Sequence, residues 1–343
     1  MPLFIVENDI TKMNVDCIVV SADVSLRPMG GMSTAVYDAV DESEQLLKEC
    51  EKIGFCGGCE CVTTNSYGLP SKYIIHSVAP IFNDSKGRAK EYIKECYKNA
   101  VYMARRKMFE SIAIPLIGTG KKGFPKDMVI GIAMEVFQEF LSKYDMNIYF
   151  VIHNKASFVP TFSMCGELNK YISEHFVDDT PQLFNCFRES FSIENDVTFE
   201  LFATNLGEKK SNESSSEDKI EEGEKDLSER NKNFSELLNK KLKEHRANRK
   251  IYKKANIEKF AFERLKNNSV FKLKKETVLA IAIALEMDLS ETEEFMKKSG
   301  YNFSDKSKQN VIIKYFIENQ MYDVYAVNQM LFYYEEEQLG AVI

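Results

Sequence analysis

Over roughly its first 155 residues the chain alternates between two periodicities. Short runs rich in β-branched and aromatic residues predict strands: Val15-Asp16-Cys17-Ile18-Val19-Val20, Glu60–Thr64, Tyr73–Val78, Ser111–Leu116 and Ile148–Ile152. Between them Tyr92, Ile93, Cys96, Tyr97, Ala100, Val101 and Ala104 recur at helical spacing, and Met32–Cys50 and Lys126–Lys143 read as helices. Strands alternating with helices predict an α/β layered sheet with helices on its faces. Residues 156–202 are less regular, with a helix near Glu167–His175, and are expected to pack on this first domain. From Gly207 to Lys232 there is no aromatic residue and almost nothing but Glu, Lys, Ser, Asn and Asp. Such a stretch cannot bury enough apolar surface to offset its ordering entropy and reads as a disordered linker. From Asn233 onward the pattern is helical throughout. The expected organisation is therefore an α/β domain with a helical extension at 1–202, a polar linker at 203–232 and an all-α domain at 233–343.

Composition narrows the class. Hydrophobic residues make up 44% of the 343, enough for ordinary cores, and the formal net charge of −7 excludes a chain built throughout as a polycation. The first residues, Met1-Pro2-Leu3-Phe4-Ile5-Val6, run into a polar turn without the basic start of a signal peptide, and the longest fully apolar run, Val278–Leu285, is far short of a membrane span. A soluble, cytoplasmic protein with no membrane partner is expected. Of the eight cysteines, Cys56-Gly57-Gly58-Cys59 forms a C-x-x-C pair with Cys61 just beyond. No second C-x-x-C or C-x-x-H completes a tetrahedral set, so free thiols and no metal are expected.

The glycines carry the first chemical hint. Gly30-Gly31 precedes a helix, where unpaired N–H groups and the helix dipole favour an anion. Gly118, Gly120 and Gly123 form a second loop behind a strand, where missing side chains let the backbone approach a ligand. Two such loops at strand ends can clasp a diphosphate, and Met32, Thr119 and Lys121 lie on them.

Four segments together resemble the macrodomain family, which binds ADP-ribose. They are Asn8-Asp9-Ile10-Thr11 followed by Val15-Asp16-Cys17-Ile18-Val19; Gly30-Gly31 at a helix start; the run Gly68-Leu69-Pro70-Ser71-Lys72-Tyr73-Ile74-Ile75-His76-Ser77-Val78-Ala79-Pro80; and Ile114-Pro115-Leu116-Ile117-Gly118-Thr119-Gly120 with Gly123-Phe124-Pro125. The resemblance implies a mixed sheet with helices on both faces and no cofactor other than the ligand. It places Asp9 against the adenine amino group, the Ile10 amide beside it and His153 where an aromatic stacks on adenine. Phe124 becomes either a wall of the distal ribose or a core anchor of its loop. His76, inside a strand, is structural. Two departures bear on catalysis. Asp23, in Val20-Ser21-Ala22-Asp23, stands where the family's hydrolases have the Asn that orients the distal ribose, and Ser33 stands where they have an Asp that positions water; Met29 replaces the first of three glycines. A neutral serine is a poor general base without a neighbour to activate it. The resemblance thus implies binding of ADP-ribose, free or attached to a macromolecule, with weak or absent hydrolysis and Asp23 as the one catalytic candidate. The alternative is a hydrolase that removes ADP-ribose from a protein or nucleic acid.

The all-α part resembles the lambda-repressor-like helix-turn-helix family over residues 234–300. Phe234–His245, Arg249–Ile257, Lys259–Asn267, Thr277–Met287 and Ser290–Lys298 fit its five helices, with Ala255 at the small position and Asn256 where the family keeps a glycine. Asn tolerates the left-handed conformation needed there. The basic stretch Asn233–Lys275, with Lys253 and Lys254, points to phosphates, whereas Glu258 and Phe260 on the third helix suit a protein contact better than a base edge. A protein partner or self-association is expected, with DNA as the other possibility.

Overall fold

The computed structural model describes residues 2–85, 87–158, 160, 165–176, 224–247, 250–267 and 273–340. Six strands, β1 (Leu3–Glu7), β2 (Cys17–Ala22), β3 (Cys61–Asn65), β4 (Tyr73–Val78), β5 (Ser111–Pro115) and β6 (Asn147–Ile152), form one sheet in the order β1-β6-β5-β2-β4-β3. Every pairing is parallel except β3 on β4. Parallel neighbours need crossovers, and these are the helices that cover both faces. α3 (Ala89–Arg106) and α4 (Lys126–Lys143) lie on one face, with Ile93, Cys96, Tyr97, Ala100, Val101 and Ala104 forming the buried stripe of α3. Tyr97, Phe137 and Phe150 meet edge to face at this core. α1 (Gly31–Ala39) and α2 (Ser43–Ile53) lie on the other face.

The predicted single helix over Met32–Cys50 is two. Val36, Val40, Leu46 and Cys50 are all buried on this face. The four would share one face of a straight helix, so phase does not force the break; Val40 turns extended as the C-cap of α1, and Asp41 N instead donates to Tyr67 O at 3.1 Å. The predicted strands are present, and β1, to which the sequence pattern assigned no element, joins them at the sheet edge. His76 is buried in β4, its Nε2 2.9 Å from Thr64 Oγ1, and burial pushes its pKa down to about 4.

The helical part holds α5 (Cys165–His175), α6 (Glu224–Glu244), α7 (Ile251–Lys254), α8 (Lys259–Lys266), α9 (Lys275–Ala284), α10 (Leu289–Lys298), α11 (Lys308–Glu318) and α12 (Val324–Tyr333) around a core of its own. Two boundaries differ from expectation. α5 packs against α11 rather than on the sheet domain, with Leu168 in the helical core and Tyr171 Oη donating to Glu318. α6 begins at Glu224, so residues 224–232, expected in the linker, are helical because they extend an amphipathic helix anchored by Phe234 and Leu238. The remainder of the expected linker lies outside the described residues. Asn256 has φ of 54°, as the turn after α7 requires, and Ala255 beside it is fully buried.

This turn does not face solvent. The open edge of β1 would leave backbone donors and acceptors unpaired. Asn256 satisfies them at Leu3, accepting from Leu3 N at 2.7 Å and donating to Leu3 O at 3.0 Å. Gln338 does the same at Ile5, accepting at 3.1 Å and donating to the carbonyl. Two amide side chains thus act as a substitute strand at alternate residues. Lys253 is committed to the same interface. Its ammonium donates to Leu141 O and Tyr144 O at the C-terminal end of α4 and pairs with Asp145 at 3.0 Å. A cation there suits the negative end of the helix dipole. Of the two lysines that the DNA alternative would set against phosphates, Lys253 is half-buried and engaged against the sheet domain, and Lys254 pairs with Glu286.

Asn256→Gly keeps the positive φ but removes the amide from Leu3. Two buried backbone groups then lose their partners, at about 1–3 kcal/mol each. The expected loss of stability is about 2–5 kcal/mol in urea or thermal unfolding, with faster amide exchange in β1. Wild-type stability in this variant would show that the edge bonds carry no weight.

Candidate functional site

Because β1, β6, β5, β2 and β4 run in one direction, the loops that follow them emerge at a single edge of the sheet. Ligands in open parallel sheets bind at this edge. The five loops enclose a cavity of about 750 Å³. Asp9, Ile10, Asp23, Gly30, Gly31, Met32, Ser33, Gly118, Thr119, Gly120, Lys121 and His153 all line it, so twelve of the expected site residues converge. Gly123 and Phe124 do not. Phe124 is buried in the sheet core, edge-on to Phe82, and anchors the loop from behind. Gly123 closes the loop by donating its N–H to Gly120 O at 2.9 Å, at a φ of 76°.

The second glycine loop is set by a single buried hydroxyl. Tyr97 Oη, on α3, donates to Pro115 O and accepts from Ile117 N, each at 2.9 Å, which fixes the exit from β5. Gly118 follows with φ of 80°, and a Cβ there would lie 3.1–3.3 Å from Phe124, Ile93 and Ala79. Only glycine fits both the backbone and the space. The two glycine loops are strapped together: Lys121 Nζ donates to Met29 O at 2.7 Å, and its stem passes so close to Gly30 that a Cβ would meet it at 2.5 Å. Among the described residues the amides of Gly30, Gly31 and Met32 on one side, and of Thr119, Gly120 and Lys121 on the other, donate to no protein acceptor. Six N–H groups on two loops that line the same cavity are therefore left without protein partners, and unpaired loop and helix-start amides of this kind suit an anion.

At the β1–β6 end, Asp9 caps a short 3-10 turn, its Oδ1 accepting from Thr11 N and Thr11 Oγ1 at 3.0 and 2.8 Å. The Thr11 amide outweighs partial burial and, with the Thr11 hydroxyl, Lys12 and His153, holds the carboxyl below its ordinary range. His153 and Asn154, on the neighbouring loop after β6, are exposed side chains that also line this end. At the β2–β4 end Asp23 Oδ1 lies 3.2 Å from Lys122 Nζ. Burial opposes ionisation of Asp23, yet Lys122 together with the backbone amides of Ser25 and Val24 overcomes it and depresses the pKa. Ser33 Oγ donates to Gly30 O at 2.9 Å and ties down the start of α1. Its hydroxyl has a structural partner and no base beside it. Sequence reasoning missed Lys122, Lys126, Asn8, Asn154 and Ser157, which also line the cavity. Lys122 was findable as the neighbour of Lys121 on the phosphate loop. Asn154 and Ser157 sit in an irregular segment where no period marks a facing side.

The comparisons with known proteins agree with this geometry. The Macro domain family pattern matches residues 19–133. A macro domain-containing protein of Methanosarcina mazei is 36% identical over 172 residues, spanning 50% of this chain and 87% of the relative. The chain belongs to the macrodomain family. An O-acetyl-ADP-ribose deacetylase of Escherichia fergusonii is 31% identical over 161 residues, covering 45% of this chain and 90% of its own. Among solved structures, the Oceanobacillus iheyensis macrodomain with ADP is 31% identical and covers 50% of this chain and 90% of that one, with a TM-score of 0.43. The residues matched by the family pattern run from β2 into α4 and include the loops after β2, β4 and β5. Cys56 and Cys59 are free thiols, and among the described residues no cluster of His, Cys, Asp or Glu has metal-holding geometry. Nor is any described helix long and apolar enough to cross a membrane.

Lys122→Met should raise the pKa of Asp23, since burial then acts with one fewer opposing charge. Asp23 has a depressed folded pKa, so its contribution to stability is present above the unfolded carboxylate value, near 4, and fades as pH falls through the folded value. The wild type should be the more stable at neutral pH and the gap should close on acidification. Carboxyl NMR titration checks the first point and pH-dependent unfolding the second; an unchanged Asp23 titration would mean that Lys122 does not govern it.

Proposed function

We propose that the macrodomain binds ADP-ribose or a close NAD-derived relative, free or attached to a macromolecule, and holds it without rapid turnover. The observation that carries this reading is the six-amide clasp between two differently furnished ends. In this reading the ligand follows the strand order. Adenine lies over β1 and β6 with Asp9, the Ile10 amide and His153; the diphosphate lies at the β5 loop against Gly30–Met32; the distal ribose lies over β2 and β4 beside Asp23. Four strand steps from β1 to β4 span about 19 Å, which suits an extended dinucleotide-sized ligand. The ammonium groups of Lys121 and Lys126 hydrogen-bond to neutral oxygens, Met29 O and Ser157 Oγ, so their charge is left to oppose phosphates. Low turnover is supported by Ser33, whose hydroxyl is spent on Gly30 O, and by Asp23, whose carboxylate is pinned by Lys122.

A second reading, hydrolysis of an ADP-ribose ester or conjugate, is favoured by the likeness to relatives named as O-acetyl-ADP-ribose deacetylases. In that case Asp23 is the group that polarises water. Calorimetry with ADP-ribose and a turnover assay on an ADP-ribosylated protein separate the two. Asp9→Ala should weaken binding about ten- to a hundredfold, the loss of one charge-assisted hydrogen bond. Gly120→Glu should abolish it by filling the phosphate space with a like charge. Wild-type affinity in both variants would put the ligand elsewhere, and efficient turnover lost in Asp23→Ala would establish the enzyme.

The helical part reads the pocket from behind. The segment after β6 lines the cavity with His153, Asn154 and Ser157, while Lys155 within it pairs with Glu335 at 2.9 Å and Phe158 packs edge-on against Phe332 of α12. Ligand that orders this segment also steadies its contact with α12. Exposed Phe260 on α8 then offers an outward contact for a protein partner or a second copy, a reading that the engagement of Lys253 favours over DNA. ADP-ribose should slow amide exchange in α12, and Phe260→Ser should weaken a complex or oligomer without altering ADP-ribose affinity. Salt-sensitive duplex binding unaffected by Phe260→Ser would restore the DNA reading.

A further inference from the structure

Large apolar side chains are exposed at eight places among the described residues, and four of the eight, Val24 (38%), Met29 (58%), Phe55 (69%) and Ile81 (47%), gather around the Asp23 end of the cavity. Met29 and Ile81 line the cavity itself. Val24 adjoins Asp23 and binds the segment of Phe55 through Cys56 N–H to Val24 O at 3.0 Å; Ile81 is held at the opposite lip, where Phe82 N donates to Lys122 O at 2.8 Å. Apolar groups gathered at the mouth of a polar cleft mark a binding surface more often than chance exposure does.

Three of the collar's four backbone carbonyls are already engaged. Val24 O takes the Cys56 amide, Met29 O takes the Lys121 ammonium, and Ile81 O takes Ser85 Oγ at 2.8 Å and the Asp84 amide. Of the two nearby cations, Lys122 is paired with Asp23, and Lys121, hydrogen-bonded to Met29 O, is the one that faces the diphosphate. A peptide lying here would find one open carbonyl among the described residues of the collar, that of Phe55, and bury its other amides without partners, which is costly, whereas a hydrocarbon chain asks for none. Methionine, unbranched and polarisable, adapts to such a chain. The geometry points to an acyl subsite: the preferred ligand is ADP-ribose whose distal ribose carries an ester of an acyl group longer than acetyl, its carbonyl end beside Asp23 and its tail against Met29 and Ile81. The inference rests on the reading of the pocket as an ADP-ribose site and adds the class of substituent.

The test is calorimetry of the full chain with ADP-ribose and with its distal-ribose acetyl, butanoyl and hexanoyl esters, ester integrity being followed by chromatography. Affinity should rise roughly tenfold from acetyl to hexanoyl, less than full burial of the added methylenes would give, because the collar is open on one side. In the Met29→Ser, Ile81→Ser double variant the hexanoyl-to-acetyl ratio should fall to near one. A flat or falling series in the wild type overturns the acyl subsite while leaving ADP-ribose binding intact. A protein-type occupant is indicated instead, and the acyl subsite overturned, if an ADP-ribosylated peptide binds more tightly than the hexanoyl ester and loses that advantage in the double variant. If no compound binds, ADP-ribose included, the reading of the pocket fails and the subsite with it.

Discussion

The parallel register of five adjacent strands is the constraint on which the rest of this molecule depends. It forces each connection to cross over the sheet, which places helices on both faces, and it delivers every following loop to one edge. The cavity is therefore a property of strand direction before it is a property of any side chain. β3, the one antiparallel strand, sends its loop the other way and contributes nothing to the site.

On that edge the chemistry is graded along the strand order. Hydrogen-bonding groups for a flat polar ring stand at one end, bare amides and ammonium groups in the middle, and an ion pair rimmed by hydrocarbon at the other. Two residues outside the cavity secure the middle section. Tyr97, from the core, fixes the exit from β5, and Phe124 fills the space under the loop that follows. The core and the site are thus continuous, and the loop is held by packing on one side and left without hydrogen-bond partners on the other.

Most of this arrangement was legible in the sequence because it rests on local signals. Gly118 answers a positive φ and a crowded neighbourhood, Gly30-Gly31 a helix start, and the apolar runs the strands; each is recorded within a few adjacent residues. What escaped notice depends on partners far along the chain. β1 carries the alternation of Leu3 and Ile5, yet its role as an edge is settled by Asn256 and Gln338. The break after Val40 leaves no mark in the apolar period, because it is held by Asp41 N donating to the distant Tyr67 O. The side of the cavity that Phe124 takes could not be read from spacing, because both of its readings bury an aromatic behind a glycine turn. Lys253 and Lys254 illustrate the converse. Their charges looked like a phosphate-binding pair, but the C-terminal carbonyls of α4 and Asp145 claimed the first.

The amide pairs on β1 also order events in time. Leu3 bonds a side chain 253 positions away and Ile5 one 333 positions away. The outer edge of β1 thus stays open, as a template for any passing strand, until Asn256 and Gln338 have been made. The macrodomain can assemble its sheet early, but its rim is closed only by residues made far later in the chain, so formation of the helical part acts as the seal on the fold that precedes it.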